Sequence, residues 1–389
     1  MEFKTLGTLV DRKIGYGIVQ PGQSVKKGVP VIKVNNIISG LYDINDLDTT
    51  TQENDAQYSR TRLNGGEVIL SVVGTIGKTA IVPNQFAGCN LVRATALIDI
   101  KTPWLAQWVK YYIDSKQGQI YITQNLNTTV QPTLNIKSLV EMPIPFYDES
   151  YMIKATEILS ELDSKIELNK KINNNLLEQA NAIFKREFLE LSELPDGWCR
   201  SNLTSIANYL NGLAMQKYRP TDTEIGLPVL KIKELRQGFC DSDSELCSPS
   251  IKSDYIINNG DVIFSWSGSL LVDFWCGGQC GLNQHLFKVT SDTYDPWFYF
   301  AWTNYHLAEF AHIAASKATT MGHIKRNDLE KAIVVIPSQE DYARIGEILS
   351  PIYKAIVENR LENNMLTQLR DTLLPQLMSG ELDVSDIEI

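Results

Sequence analysis

Long apolar runs are missing from this chain. No stretch of about 18 consecutive apolar residues, the length a membrane-spanning helix needs, occurs in its 389 residues. The opening string MEFKTLGTLVDRKIGYG lacks the basic-then-apolar order of a secretory signal. The expected place is therefore the cytoplasm, away from membranes. Cysteine is sparse, and the six residues Cys89, Cys199, Cys240, Cys247, Cys276 and Cys280 form no disulfide framework, so reduced thiols are expected. Cys276 and Cys280, with Cys240, Cys247 and His285, come nearest to a zinc set. No C-x2-C pair exists, however, and the first half holds Cys89 alone, so no metal site is expected. Histidine is scarcer still: His285, His306, His312 and His323 all fall in the second half, which argues against His-dependent catalysis in both halves.

Reaction centres are absent as well. The strings H-E-x-x-H, G-x-S-x-G, G-x-G-x-x-G, N-P-P-Y and D-P-P-Y do not occur. The run from Gly74 to Thr79 ends in GKT, but a phosphate loop needs a glycine five positions before Gly77, and Val72 stands there. No catalytic residue and no cofactor bound by this chain is expected. Positive charge is also in deficit, with a net charge of −10, which taken alone argues against a nucleic-acid partner. Its distribution weakens that objection: residues 1–150 carry +1, 151–200 carry −2, 201–337 carry −3 and 338–389 carry −6.

What is present is a repeat. PVIKVNNIISG from Pro30 is echoed by PVLKIKELRQG from Pro228, with Lys33 answering Lys231. LNGGEVILSVVG, ending at Gly74, is echoed by INNGDVIFSWSG, ending at Gly268. TPWLAQWVKYYI from Thr102 matches DPWFYFAWTNYH from Asp295, each with a polar N-cap candidate and proline at the first helical position. Each copy reads as a mixed α+β domain, with short β-branched strands such as 29–34 and 67–73 and a helix opening at Pro103 or Pro296.

A long polar helix is expected after each copy. Leu159, Leu162, Ile166, Asn169, Asn173, Leu176, Ala180 and Ile183 follow alternating steps of three and four, and Leu349, Ile352, Ile356, Asn359, Asn363, Leu366, Arg370 and Leu373 repeat the pattern 190 residues later. An apolar stripe of this kind ordinarily packs on its own domain. Two matched stripes carrying asparagine at the same two positions point instead to an antiparallel coiled coil in which Asn169, Asn173, Asn359 and Asn363 set the register. Pro351 is expected to start or kink the second helix, with Ser350 as cap, and Pro375 and Gly380 to end it.

Two windows lack acidic residues altogether, 115–140 and 310–327. The first holds Thr128, Thr129, Gln131 and Lys137; the second holds Lys317, Thr319, Thr320, His323, Lys325 and Arg326. Lysine and arginine neutralise phosphates, and Gln, Thr and Arg offer the groups that read base edges. A solvated loop short of charge is the plain alternative for either window taken alone, and duplication at matched places weakens it.

With LPDGW (194–198) before the second copy and LLPQLMSGEL (373–382) at the end, the order of parts over essentially the whole chain resembles the specificity subunits of Type I restriction-modification systems. The resemblance implies target-recognition domains at 1–149 and 192–338 and long spacer helices at 150–191 and 339–389. It further implies double-stranded DNA as ligand, read as two half-sites, and two methyltransferase subunits as partners, with restriction or motor subunits where the system has them. S-adenosylmethionine, and ATP with Mg where a motor is present, would sit on those partners. DNA contacts would fall on the two windows, with Lys33 and Lys231 as weaker candidates. Two competing readings remain: a two-headed coiled-coil scaffold that binds proteins and no DNA, supported by the acidic charge, and an enzyme in its own right, which the missing motifs disfavour.

Overall fold

The computed structural model describes residues 1–41, 43–127, 131–316, 323–384 and 387. They form two compact units, Met1–Ser164 with Leu366–Ile389, and Lys165–Met365. The architecture is α+β, built twice from the same parts.

In the first unit a four-stranded antiparallel sheet runs in the order Gly15–Tyr16, Thr95–Ile98, Val68–Ser71, Thr79–Ile81. Every residue of Val68–Ser71 is buried, as a central strand covered on both faces requires. Beside it lies a smaller sheet, Asp48–Thr50, Val29–Ile32, Asn90–Leu91, in which the last pair is parallel. The helix Pro103–Asp114 covers the main sheet, burying Trp108, Val109 and Ile113. Its proline sits at the first helical position, but the Thr102 side chain makes no capping bond. Nor does Asp295 before the matching helix Pro296–Tyr305, where the carboxylate instead accepts from the Tyr342 hydroxyl at 3.0 Å.

The second unit repeats the plan. Its main sheet is Asn208–Asn211, Leu286–Thr290, Val262–Ser265, Leu271–Phe274, and its smaller sheet again holds a parallel pair, Leu227–Leu230 with Cys280–Leu282. The core here is aromatic. Phe298 and Trp302 on Pro296–Tyr305 pack with Phe184 and Phe188, and Trp297 stacks on Tyr342.

Two long helices follow the two domains, Glu149–Phe184 and Gln339–Ser379. The second passes through both Pro351 and Pro375, so the expected start at Pro351 is overturned and Pro375 does not end it, whereas Gly380, at positive φ, does follow its last residue as expected. Each proline frees the carbonyl four residues before it. Those residues, Glu347 and Asp371, are exposed, so water can take the freed acceptors. Buried Ile345 and Leu349 meanwhile hold the turns before Pro351 against the second domain's core.

Within the second unit the helices run antiparallel, and the seam asparagines form a ladder. Asn169 donates to Asn363 Oδ1 at 3.0 Å, and Asn359 donates to Asn173 Oδ1 at 2.8 Å. Asn173 donates to the Ile356 carbonyl at 3.2 Å, and Asn363 to the Ile166 carbonyl at 3.3 Å. A shift of 190 residues converts each of these bonds into its mate, so the ladder is locally two-fold. In the first unit Asp163 of one long helix receives Arg370 of the other at 2.9 Å, together with the Tyr111 hydroxyl at 2.9 Å. Arg370 thus fills its seam place by pairing with a carboxylate.

Candidate nucleic-acid interface

The acid-free windows meet the main sheets at the same point in both domains. After Val68–Ser71 the chain continues through Val72 and Val73; Val73 bridges to Thr133, and Leu134 N–H donates to the Val72 carbonyl at 3.0 Å. After Val262–Ser265, Ser267 bridges to His323, and Ile324 N–H donates to the Trp266 carbonyl at 2.9 Å. The following turns are opened by Gly74 and Gly268, both at positive φ, which a side chain would strain.

On this frame Lys325 is the N-cap of the helix Arg326–Lys331, its backbone N–H bonded to Asp328 at 2.9 Å and its side chain in solvent. Arg326 is exposed and lines a cleft of 520 Å³ together with Trp266, Phe287, Asn208 and Asn211. Trp266 donates from its indole N–H to Asn211 at 3.0 Å and lies edge-on to His323, with ring centres 6.2 Å apart. In the first domain Asn135 caps the matching helix Ile136–Val140 by accepting from Ser138 at 2.8 Å. Lys137 on that helix is 83% exposed, with Glu141 no nearer than 3.9 Å. Gln131 is exposed. Burial pushes the Tyr16 phenol up, and the positive charge of Arg93 works against that shift. The Tyr16 hydroxyl donates to the Leu134 carbonyl at 2.8 Å. Thr128, Thr129, Lys317, Thr319 and Thr320 lie outside the described residues.

Lys33 and Lys231 follow Ile32 and Leu230, whose carbonyls accept from Val92 N–H and Asn283 N–H, each at 3.2 Å. Each caps the short helix after its strand, Val34–Ser39 or Ile232–Gln237, and each ammonium pairs with a carboxylate on the adjoining strand or its approach, Asp48 for Lys33 and Glu245 for Lys231. Their charges are already met within the domain.

A further pair of positions stands beside the two bridges. In the first domain the turn 92–94 carries Arg93; in the second the turn 283–285 carries Gln284 and His285. Val92 bridges to Ile18 and Asn283 to Leu213, both parallel. Gly17 and Gly212 precede these partners, and a Cβ at either would lie 2.1 or 2.2 Å from the carbonyl oxygen of Leu91 or Asn283. Only glycine permits such an approach. Composition gave no sign of these turns, although CNLVRAT and CGLNQHL, from Cys89 and Cys280, continue the repeat and mark them.

Comparison with known proteins identifies the class. The family model of the Type I restriction modification DNA specificity domain matches residues 1–178 and again 195–367. The chain belongs to this family. It is 25% identical over 344 residues to the MjaIX specificity subunit of Methanocaldococcus jannaschii, a Type I restriction enzyme subunit, covering 83% of this chain and 79% of that one. It is 23% identical to the EcoKI specificity subunit of Escherichia coli K12, over 91% of this chain and 82% of that one. In fold it is similar to the crystal structure of the Type I restriction-modification S subunit from M. genitalium, with a TM-score of 0.54 at 15% identity, covering 96% of this chain and 95% of that one. Among the described residues, no helix is long and apolar enough to cross a membrane.

Proposed function

We propose that this chain is the non-catalytic, DNA-reading subunit of a Type I restriction-modification complex. Each domain reads one half of a bipartite double-stranded target, and the paired helices dock two methyltransferase subunits. S-adenosylmethionine, and ATP with Mg where a motor subunit is present, belong to those partners. The observation that carries this reading is the matched pair of bridges, Val73 with Thr133 and Ser267 with His323. Each joins an acid-free segment to the end of a central strand, and exposed Lys137, Lys325 and Arg326 beside it can meet phosphates. The acidic total is compatible with this, since most of the excess acid lies in 338–389.

The test is a binding series on the complex reconstituted with its methyltransferase subunits. Affinity for duplex DNA should fall steeply with salt, because each phosphate contact releases counterions. Methylome sequencing should return a split motif. A complex that assembles through the paired helices yet binds no duplex at low salt would be a protein scaffold, and the proposal would fail.

A further inference from the structure

The turns 92–94 and 283–285 have the same backbone and different side chains. Arg93 N–H donates to the Ile18 carbonyl at 2.8 Å, and Gln284 N–H donates to the Leu213 carbonyl at 2.8 Å. Thr95 N–H closes the first turn on Val92 at 2.9 Å, and Leu286 N–H closes the second on Asn283 at 3.0 Å. The strand end beside each turn ties in as well, Val72 N–H to the Ala94 carbonyl at 2.8 Å and Trp266 N–H to the His285 carbonyl at 3.4 Å. With Gly17 and Gly212 packed against their bases, both turns are held from three sides, and the side chain at the tip is what remains to vary.

We propose that Arg93 and Gln284 are base-reading residues of their domains, Arg93 for guanine in one half-site and Gln284 for adenine in the other. This rests on the DNA-reading function proposed above. Arginine matches guanine O6 and N7, and glutamine matches adenine N6 and N7, each through two hydrogen bonds. Both residues stand at one structural position, next to the bridge that carries the acid-free segment, and neither turn contains an acid. Arg12, Arg62, Arg360 and Arg370 are each tied to a carboxylate. Arg93 is exposed and, among the described residues, takes part in no ion pair. A base reader needs a guanidinium free in this way.

Gln284 is held ready by its neighbour. Ser267 Oγ lies 3.2 Å from His285 Nδ1, and Gln284 Nε2 lies 3.4 Å from His285 Nε2. In the tautomer whose Nδ1–H donates to Ser267, Nε2 accepts from the Gln284 amide. That leaves the amide one N–H and its oxygen, the donor and acceptor that adenine requires. His285 is in this sense a positioning residue.

The experiment uses the full chain in complex with its methyltransferase subunits. R93A should lose discrimination at one guanine-bearing position of one half-site by about 5- to 150-fold, the span of one bidentate contact, with the other half-site and the gap unchanged. R93Q should move the preference at that position toward adenine, and Q284A should relax one A·T position in the other half-site. Duplexes carrying 7-deazaguanine, which lacks the N7 acceptor, probe the unaltered protein: one substitution should weaken binding, and R93A should be insensitive to it. A parent complex that reads a split motif while R93A reads the same motif unchanged overturns the assignment alone. Uniform weakening on every sequence with the preference kept makes Arg93 a phosphate contact and also overturns it. A parent that binds no duplex overturns the DNA-reading function itself.

Discussion

Asn173 receives the amide of Asn359 at 2.8 Å and passes its own amide to the carbonyl of Ile356 at 3.2 Å. Asn173 is almost fully buried, so an unanswered amide there carries the full cost of desolvation. Replacing Asn173 alone by Leu should therefore destabilise the chain by about 1–3 kcal/mol, because Asn359 loses its acceptor. Replacing Asn169, Asn173, Asn359 and Asn363 together by Leu should keep or raise the melting temperature while allowing other helix pairings. Denaturation of the single and quadruple variants measures the first effect, and native mass spectrometry of their assembly state measures the second. A quadruple variant with unchanged assembly and partner stoichiometry would remove the register role.

Asp163 supplies a second test, in the first unit. Burial opposes its charge, but Lys110 and Arg370 outweigh that cost and hold the carboxyl below its ordinary value. Its bonds to Arg370 and to the Tyr111 hydroxyl join both long helices to the helix Pro103–Asp114. D163N should cost about 1.5–3 kcal/mol at neutral pH, the worth of a charge-assisted bond. Because the folded value is depressed, this contribution is complete above the unfolded value of about 4 and is lost as pH falls through the lower folded value. The stability gap between parent and D163N should close in that acid window and stay constant above it. A gap that widens in acid would contradict the assignment.

Much of this was legible in the sequence, and the failures have physical reasons. The repeat and the asparagine seam could be read because burial imposes a period, and a period survives divergence. The helix does not start at Pro351, because propensity is local, whereas Ile345 and Leu349 before it are locked into a core formed by residues far along the chain. Thr102 and Asp295 do stand at the N-cap positions that residue type indicates, but neither side chain makes the capping bond, and Asp295 is engaged by Tyr342, 47 residues on. Lys33 and Lys231 stand out in the sequence for their charge, but their pairing with Asp48 and Glu245 across a strand pair is something no local pattern reveals. Arg93 and Gln284 were missed because a tip residue has no period and, by its role, differs between the copies.

Gly17 and Gly212 allow each domain to be disabled separately. A methyl group at Gly212 would meet the Asn283 carbonyl oxygen at 2.2 Å, backbone that cannot swing aside, and at Gly17 it would meet that of Leu91 at 2.1 Å. G212A should destabilise the second domain by about 1–3 kcal/mol and spoil reading of one half-site, and G17A should do the same to the other. Hydrogen exchange on the complex would show deprotection confined to the altered domain. Loss of protection in both domains from either change would contradict the independence of the two readers.

Lys325 and Arg326 test the phosphate side of the interface. Lys325 points its side chain to solvent from a cap fixed by Asp328, and Arg326 stands exposed at the rim of the cleft that holds Trp266. Neither carries the fold, so K325A/R326A should melt near the parent temperature. Two lost phosphate contacts should flatten the plot of log affinity against log salt by about 0.9 each. Affinity should fall at low salt, where the counterion term is largest, and the parent and variant curves should converge as salt rises. If Arg326 also reaches a base edge, methylome sequencing of cells carrying only this variant should show relaxed preference in one half of the split motif, with the other half and the gap length intact. The geometric reason is that both residues belong to one domain and follow the bridge of Ser267 with His323. An unsplit parent motif, or equal loss of preference in both halves of the variant, would show that the two domains do not read DNA separately.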